Sequence, residues 1–310
     1  MSSTTDRDRA RRGGLSAVPG EEGAPTVIDD DGTIGYFRRV HLYGVEFRVH
    51  VRPGTGARPP LVLCNGIGAN IEVLDPLVEA LPKDLEIIRF DAPGTGSSST
   101  PPYMYRFSGL AHTLGLLLTD LGYDRVDVLG FSWGGALAQQ FAAQNPRRCR
   151  RLILAATGTG MISVPGRIGA LSRMLTPRRY RDPAYAASIA DRLYGGSLRG
   201  APERAAEILG HDSHPGTSRG YLLQLLAGAG WTSVPWLPLI RQPSLLLFGD
   251  DDPIIPLANA RILHTLLPHS TLHIFSGGHL DLLVKAPQLA PVIDRFLSHT
   301  EAPAPGSPSR

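Results

Sequence analysis

Cysteine is scarce: Cys64 and Cys149 are the whole complement of a 310-residue chain. Two thiols, one in an apolar run and one near the end of an expected helix, make neither a disulfide framework nor a metal cluster of the usual spacing. Both are read as reduced thiols. Long apolar runs are missing as well. No stretch reaches the about 18 uncharged apolar residues that suggest a membrane span, and the opening "MSSTTDRDRARRGGLSAVPGEEGAP" carries charges but no apolar h-region of a secretory signal. These absences predict a cytoplasmic protein with no integral membrane segment. Charge of one sign is not in large excess either, the formal net charge being +3. The arginines fall in short clusters such as "RRCRR" (Arg147 to Arg151) and "PRRYR" (Pro177 to Arg181), with no basic stripe and no interleaved aromatics, so a nucleic-acid partner is not expected. No internal repeat is present.

What the chain does have is a hydrophobic content of 42% and 35 glycines and 27 prolines scattered among apolar runs, the composition of turns between packed elements. Residues 1–27 and 300–310 are polar and rich in Pro, Gly and Ser, and are expected to be disordered tails. Between them, "IGYFRRVHLYGVEFRVHV" alternates apolar and polar positions around a glycine turn and predicts an antiparallel hairpin. Short apolar strands then alternate with helical stretches: "LVLCNG", a helix near Leu74 to Leu81, "EIIRFDAPG", a helix near Leu110 to Leu121, "VDVLGFS", a helix from Gly134 to Gln144, and "RLILAAT". This alternation requires right-handed crossovers and gives an α/β fold, a mostly parallel sheet with helices on both faces. From about 158 to 238 the pattern breaks into helical patches interrupted by prolines, after which "SLLLFGDDDP" and "TLHIFSGGHL" resume the sheet and a last helix runs from about Pro287 to Phe296. The expected organisation is a core over 28–157 and 239–299 with a helical lid, 158–238, inserted between late strands. Trp231 and Trp236 in that insertion are candidates to line an acyl pocket or, equally, to pack the lid on the core.

Gly130-Phe131-Ser132-Trp133-Gly134 fits G-x-S-x-G, a short pattern that gains meaning from its setting. A strand precedes it and a helix follows, the context in which a sharp turn lifts the serine hydroxyl clear of the sheet. A hydroxyl needs a histidine to take its proton and a carboxylate to orient that histidine. The expected order is serine, acid, histidine, and both partners occur after the insertion. "LLLFGDDDPIIP" ends a strand with three aspartates, of which Asp252 occupies the fourth position of G-x-x-D immediately before Pro253; Asp250 is the next candidate. His279, in the glycine-rich turn of "LHIFSGGHLDLL", is the histidine in the right order at a strand's C-terminal end. Acyl transfer also requires oxyanion donors, here the backbone amide of Trp133 and, from the loop "CNGIGAN", that of Ile67, with Gly66 and Gly68 allowing close approach. The chemistry needs no metal and no organic cofactor.

With "NGIGAN", "FDAPGTGSS", "SWGGALAQQFA", "LILAAT", "TPRRY", "LYGG", "GWTS", "IRQPSLL" and "GDDDPIIPL", the sequence resembles the α/β-hydrolase fold and, more closely, the intracellular medium-chain-length polyhydroxyalkanoate (PHA) depolymerases, from about Ile34 to about Leu297. The resemblance implies a serine esterase whose triad falls on Ser132, Asp252 and His279, hydrolysing a storage polyester of 3-hydroxy acids at the surface of intracellular granules. The alternatives are a carboxylesterase or lactonase acting on small soluble esters, with perhydrolase side activity, and a non-catalytic granule-binding protein. The sequence departs from the family in its longer, Arg-containing N-terminal segment and in "HDSHPGTSRG". Oligomeric state has no signature in the sequence.

Overall fold

The computed structural model describes residues 26–28, 34–209 and 216–299. Its nine strands are β1 Thr26–Ile28, β2 Ile34–Leu42, β3 Val45–Arg52, β4 Leu61–Cys64, β5 Ile87–Phe90, β6 Val126–Phe131, β7 Cys149–Ala155, β8 Ser244–Gly249 and β9 Ser270–Phe275. They form one sheet in the order β1-β2-β3-β5-β4-β6-β7-β8-β9. The expected hairpin is β2 and β3, antiparallel and turned at Tyr43-Gly44, and β3 lies antiparallel to β5. From β5 to β9 every pairing is parallel. The expected first tail, 1–27, overlaps β1, because the backbones of Thr26 and Val27 complete a ladder on the edge of β2. Apart from Thr26 and Val27, the expected tails lie outside the described residues.

Strands β4, β5, β6 and β8 are buried at every position and largely apolar, because both faces of a parallel sheet are covered. Leu61 and Leu63 of β4 enter one core cluster and Val62 and Cys64 the other, the alternation that a strand imposes. The first cluster packs under α1 Asp75–Ala80, α9 Asp281–Val284 and α10 Ala286–Ser298; the second packs under α2 Phe107–Asp120, α3 Trp133–Gln144 and α8 Ala258–Leu266. Cys64 and Cys149 are free and buried, and burial pushes the Cys64 thiol up to about 12.

Between β7 and β8 the chain forms α4 Ile168–Arg173, α5 Pro183–Tyr194, α6 Arg204–Ile208 and α7 Ser218–Gly228, with short 3-10 turns at Pro177–Tyr180 and Gly196–Arg199. Asp182 and Thr217 cap α5 and α7 by accepting from the amides of Tyr185 and Gly220. Among the described residues of this segment, the one β-type pairing is an isolated bridge between Gly160 and Thr232. The segment therefore crosses the ends of the parallel strands as helices and turns. Among the described residues no helix is long and apolar enough to cross a membrane.

Candidate active site

Ser132 sits where β6 stops and α3 starts, at φ 55° and ψ −118°, a left-handed conformation that costs a non-glycine residue about 1–3 kcal/mol. Three hydrogen bonds hold the corner in that state. The Ser132 amide donates to Ala155 O at 2.9 Å, and Ser132 O accepts from Gly135 N at 2.9 Å and from Thr157 Oγ1 at 2.8 Å. The flanking glycines are required by space. A Cβ on Gly134 would lie 2.1 Å from Cys64 O, and one on Gly130 would lie 2.5 Å from Gly134 O.

His279 and Asp252 come from the loops after β9 and β8. His279 Nδ1 lies 2.7 Å from Asp252 Oδ2, and His279 Nε2 lies 3.0 Å from Ser132 Oγ. A carboxylate accepts only, so Nδ1 carries the proton and Nε2 is left to accept from the serine hydroxyl. The second carboxylate oxygen, Asp252 Oδ1, accepts from the amides of Ile254 and Ile255 at 2.8 and 2.9 Å. His279 and Asp252 are buried, and the imidazole packs against Phe131 with ring centroids 5.3 Å apart. The neighbouring aspartates have other partners. Asp250 Oδ1 accepts from Gly277 N, while Asp251 takes Arg199 in a two-pronged ion pair and also Gly196 N. Arg199 is the main cause that holds the Asp251 carboxyl down at about 2.

The amides of Ile67 and Trp133 face different fixtures. Trp133 is the first residue of α3, so its N–H has no partner within the helix. Ile67 lies in a loop braced from inside by Asn65, whose side chain donates to Asn70 O and accepts from Gly66 N. The same loop is gripped from outside by the β7–β8 segment. Ile67 O accepts from Tyr180 Oη at 2.9 Å and from Arg179 Nη2 at 3.1 Å, and the next amide, Gly68 N, donates to Gln224 Oε1 at 2.7 Å. The Ile67–Gly68 peptide is thereby clamped at both ends. Gly68 has φ +75°, and a Cβ there would come within 2.7 Å of the Tyr221 ring, whereas one on Gly66 would make only ordinary contacts. Close approach is thus a requirement at Gly68 and not at Gly66. Gln224 also accepts the Trp133 indole N–H on its carbonyl at 3.0 Å, so one residue of the β7–β8 segment touches both candidate donor loops.

Trp231 and Trp236 are placed elsewhere. They line up with Trp133 and Phe107 in an aromatic row, with centroid separations of 4.8, 5.1 and 5.9 Å, on the α2–α3 side of the sheet. The Trp231 indole donates to Gln140 Oε1 of α3. Neither ring lines the cavity at Ser132; of the two parts expected of them, their contacts are those of packing, since the segment's return to β8 runs over α3 and carries both rings with it. That cavity is instead walled by Arg179, Tyr180 and Tyr194 from the β7–β8 segment, residues that sequence reading did not single out as site residues, although "TPRRY" and "LYGG" contain them. It encloses only about 20 Å³, room for about one water.

A serine at a strained strand-to-helix corner, on the C-terminal edge of a parallel sheet and in hydrogen-bond line with a histidine and an aspartate, is the architecture of the α/β hydrolases. The family described as alpha/beta hydrolase fold matches residues 59–286, and the chain belongs to it. Within that class, the chain is 50% identical over 263 residues to the poly(3-hydroxyalkanoate) depolymerase of Ectopseudomonas oleovorans, covering 84% of this chain and 92% of that protein, which bears out the resemblance carried by the motifs of the insertion. The 3-oxoadipate enol-lactonase 2 of Acinetobacter baylyi is 29% identical over 229 residues, 73% of this chain and 84% of the enzyme. The crystal structure of the enol-lactonase from Burkholderia xenovorans LB400 superposes with a TM-score of 0.73 at 23% identity, over 84% of this chain and all of that one, a likeness of fold.

Proposed function

We propose that the chain is a serine hydrolase that cleaves the ester bonds of intracellular medium-chain-length poly(3-hydroxyalkanoate). The observation that carries the reading is the hydrogen-bonded line from Asp252 through His279 to Ser132 at the strained corner. In it, Ser132 Oγ attacks the ester carbonyl carbon as its proton passes to His279 Nε2. Asp252 keeps the imidazole in the tautomer that can accept it and stabilises the imidazolium that forms. The carbonyl oxygen, now an anion, takes hydrogen bonds from the amides of Ile67 and Trp133. Collapse of the tetrahedral intermediate breaks the bond to the leaving alkoxide, which receives the proton from Nε2, and an acyl-enzyme remains. A water then gives its proton to Nε2 and attacks the acyl carbon; as the bond to Ser132 Oγ breaks, Nε2 returns the proton to that oxygen and the hydroxy acid or a short oligomer leaves.

The polyester as substrate is supported by the depolymerase activity of the relative at 50% identity and by the apolar side chains that the β7–β8 segment turns outward. Ile168 is 86% exposed, Met161 69% and Leu175 64%, a surface suited to a water-insoluble polymer in the cytoplasm rather than to solvent. A second reading, a carboxylesterase or lactonase of small soluble esters, is favoured by the narrowness of the Ser132 cavity. Release of 3-hydroxy acids from native granules separates the two. Wild-type protein is expected to release them from medium-side-chain granules in preference to short-side-chain ones, and Ser132→Ala to lower release by at least about a thousandfold. Hydrolysis of short soluble esters with no release from either polymer would favour the second reading. Near-native turnover by Ser132→Ala would remove the nucleophile assignment altogether.

A further inference from the structure

The cavity at Ser132 contains a polar group that the mechanism above does not use. Of the polar side chains on its wall, Ser132 and His279 bond each other, Tyr180 Oη donates to Ile67 O, and Arg179 donates to Ile67 O, Thr176 O and Tyr221 Oη. Tyr194 is different. It is 2% exposed, and its hydroxyl has no hydrogen-bond partner among the described residues. Its strongest polar neighbour is the Arg179 guanidinium, whose only possible bond to this group is a donation to the phenolic oxygen, so the phenolic proton is left with no acceptor. Burial pushes the phenol above its usual range, which keeps that proton in place. A buried hydroxyl that leaves its hydrogen bond unmade destabilises the resting fold. Such a group lining the space beside a nucleophile is a donor waiting for something that enters.

The position of Tyr194 is fixed with respect to the reacting atoms. It ends α5, and its carbonyl accepts the His279 amide at 2.8 Å, so the tyrosine and the imidazole are joined through the backbone. Its ring shares the cavity with Ser132. In an ester of a 3-hydroxy acid, the carbon bearing the second oxygen is two bonds from the carbonyl carbon that Ser132 attacks. That oxygen, a free hydroxyl at a chain end or an ester oxygen within the polymer, is thereby held within reach of the same small cavity, and in either form it can accept a hydrogen bond. A plain aliphatic ester brings only methylenes there.

We propose that Tyr194 is the residue that recognises the 3-oxygen of the acyl unit, donating its phenolic hydrogen to that oxygen beside the Ser132 carbonyl and so selecting 3-hydroxyacyl esters over unsubstituted ones. The Arg179 guanidinium, also 1% exposed and with no carboxylate in ion-pair reach among the described residues, keeps the subsite polar. The inference rests on the ester-hydrolase reading and adds to it the group on the substrate that is read.

The test uses the full-length chain and two soluble methyl esters, 3-hydroxyoctanoate and octanoate, with wild type and Tyr194→Phe. Wild type is expected to prefer the 3-hydroxy ester. In Tyr194→Phe, kcat/KM on that ester is expected to fall by about 10- to 100-fold while octanoate turnover stays within about twofold. Since the hydroxyl has no partner at rest, the variant is also expected to keep or raise the melting temperature. Equal losses on both esters, no loss on either, or a clear drop in melting temperature would overturn the subsite and assign the hydroxyl a structural part. Wild type inactive on both esters is a distinct outcome: it overturns the ester-hydrolase reading, and the subsite falls with it. Tyr180→Phe serves as the comparison, because its hydroxyl braces Ile67 O and its loss is expected to slow both esters alike.

Discussion

Asp250, Asp251 and Asp252 are consecutive and chemically identical, and the backbone after β8 gives each carboxylate a different direction and a different partner. Asp250 pins the Gly277 amide of the β9 loop, Asp251 pairs with Arg199, and Asp252 meets His279. Single Asn substitutions should separate these roles by kinetics. Asp252→Asn is expected to lower kcat by about a thousandfold or more, since an amide can donate to Nδ1 and favours the wrong tautomer. Asp251→Asn leaves the imidazole's partner in place, and its kcat on a soluble ester should stay within a few-fold of wild type. Gln224 acts at one remove. It is fully buried, and Gln224→Leu removes the acceptor from Gly68 N, which frees the peptide that follows Ile67. With the proposed oxyanion donor Ile67 loosened, kcat on a soluble ester is expected to fall by about tenfold or more at nearly constant KM. A rise in KM with kcat unchanged would show instead that Gln224 serves substrate entry.

At the scale of elements, the segment between β7 and β8 completes the site in addition to covering it. The turn at Pro177–Tyr180 and helix α7 hold the Ile67 loop, the end of α5 holds the His279 amide, and the turn at Gly196–Arg199 is tied to Asp251. These contacts explain what could and could not be read in the sequence. The parallel core was legible because the central strands are short, largely apolar stretches set between helical ones, and the Ser132 corner was legible because steric demand confines Gly130 and Gly134 to glycine. Arg179 and Gln224 left no such local mark, since their partners lie 112 and 156 residues away in the chain. Tyr194 was equally silent, its meaning arising from a contact it lacks. Trp231 and Trp236 were visible as residues but not as directions, because nothing local says over which face of the sheet the segment returns. The tie to Asp251 is exposed, so it should set local opening rather than global stability. Arg199→Ala is expected to speed hydrogen exchange at Gly196 and Ser197 by severalfold and to move the melting temperature by less than about 2 °C. Unchanged exchange at those amides would show that the turn is held by its remaining contacts alone.

For the molecule as a whole, two buried groups on the hairpin side of the sheet set opposed responses to pH. His50 of β3 packs at a tilt against Phe37 and takes Arg89 Nη2 on its Nδ1 at 3.0 Å; burial, followed by Arg89, Arg48 and Arg52, pushes its imidazole down from 6.5 to about 3. The unfolded chain binds a proton there below about 6.5 that the folded chain refuses, so this contribution to stability is present above that pH and is lost as pH falls toward 3. Asp91, after β5, accepts from the amides of Ile71 and Ser97, yet burial outweighs them and raises its carboxyl from 3.8 to about 6. Here the folded chain keeps a proton that the unfolded chain releases, so the contribution is present below about 3.8 and is lost as pH rises to 6. Between pH 4 and 6 each group approaches a slope of about 1.4 kcal/mol per pH unit, with opposite signs, and the two nearly cancel. Single substitutions should uncover the hidden slopes. Relative to wild type, His50→Gln is expected to lose stability progressively as pH rises from 4 to 6, the Asp91 limb standing alone, and Asp91→Asn to gain stability over the same range, the His50 limb standing alone. Urea midpoints at pH 4, 5 and 6 measure both. Parallel profiles for wild type and the two variants would mean that neither group changes its protonation on folding in this range, and a slope of the same sign in both variants would mean that the opposition is not theirs.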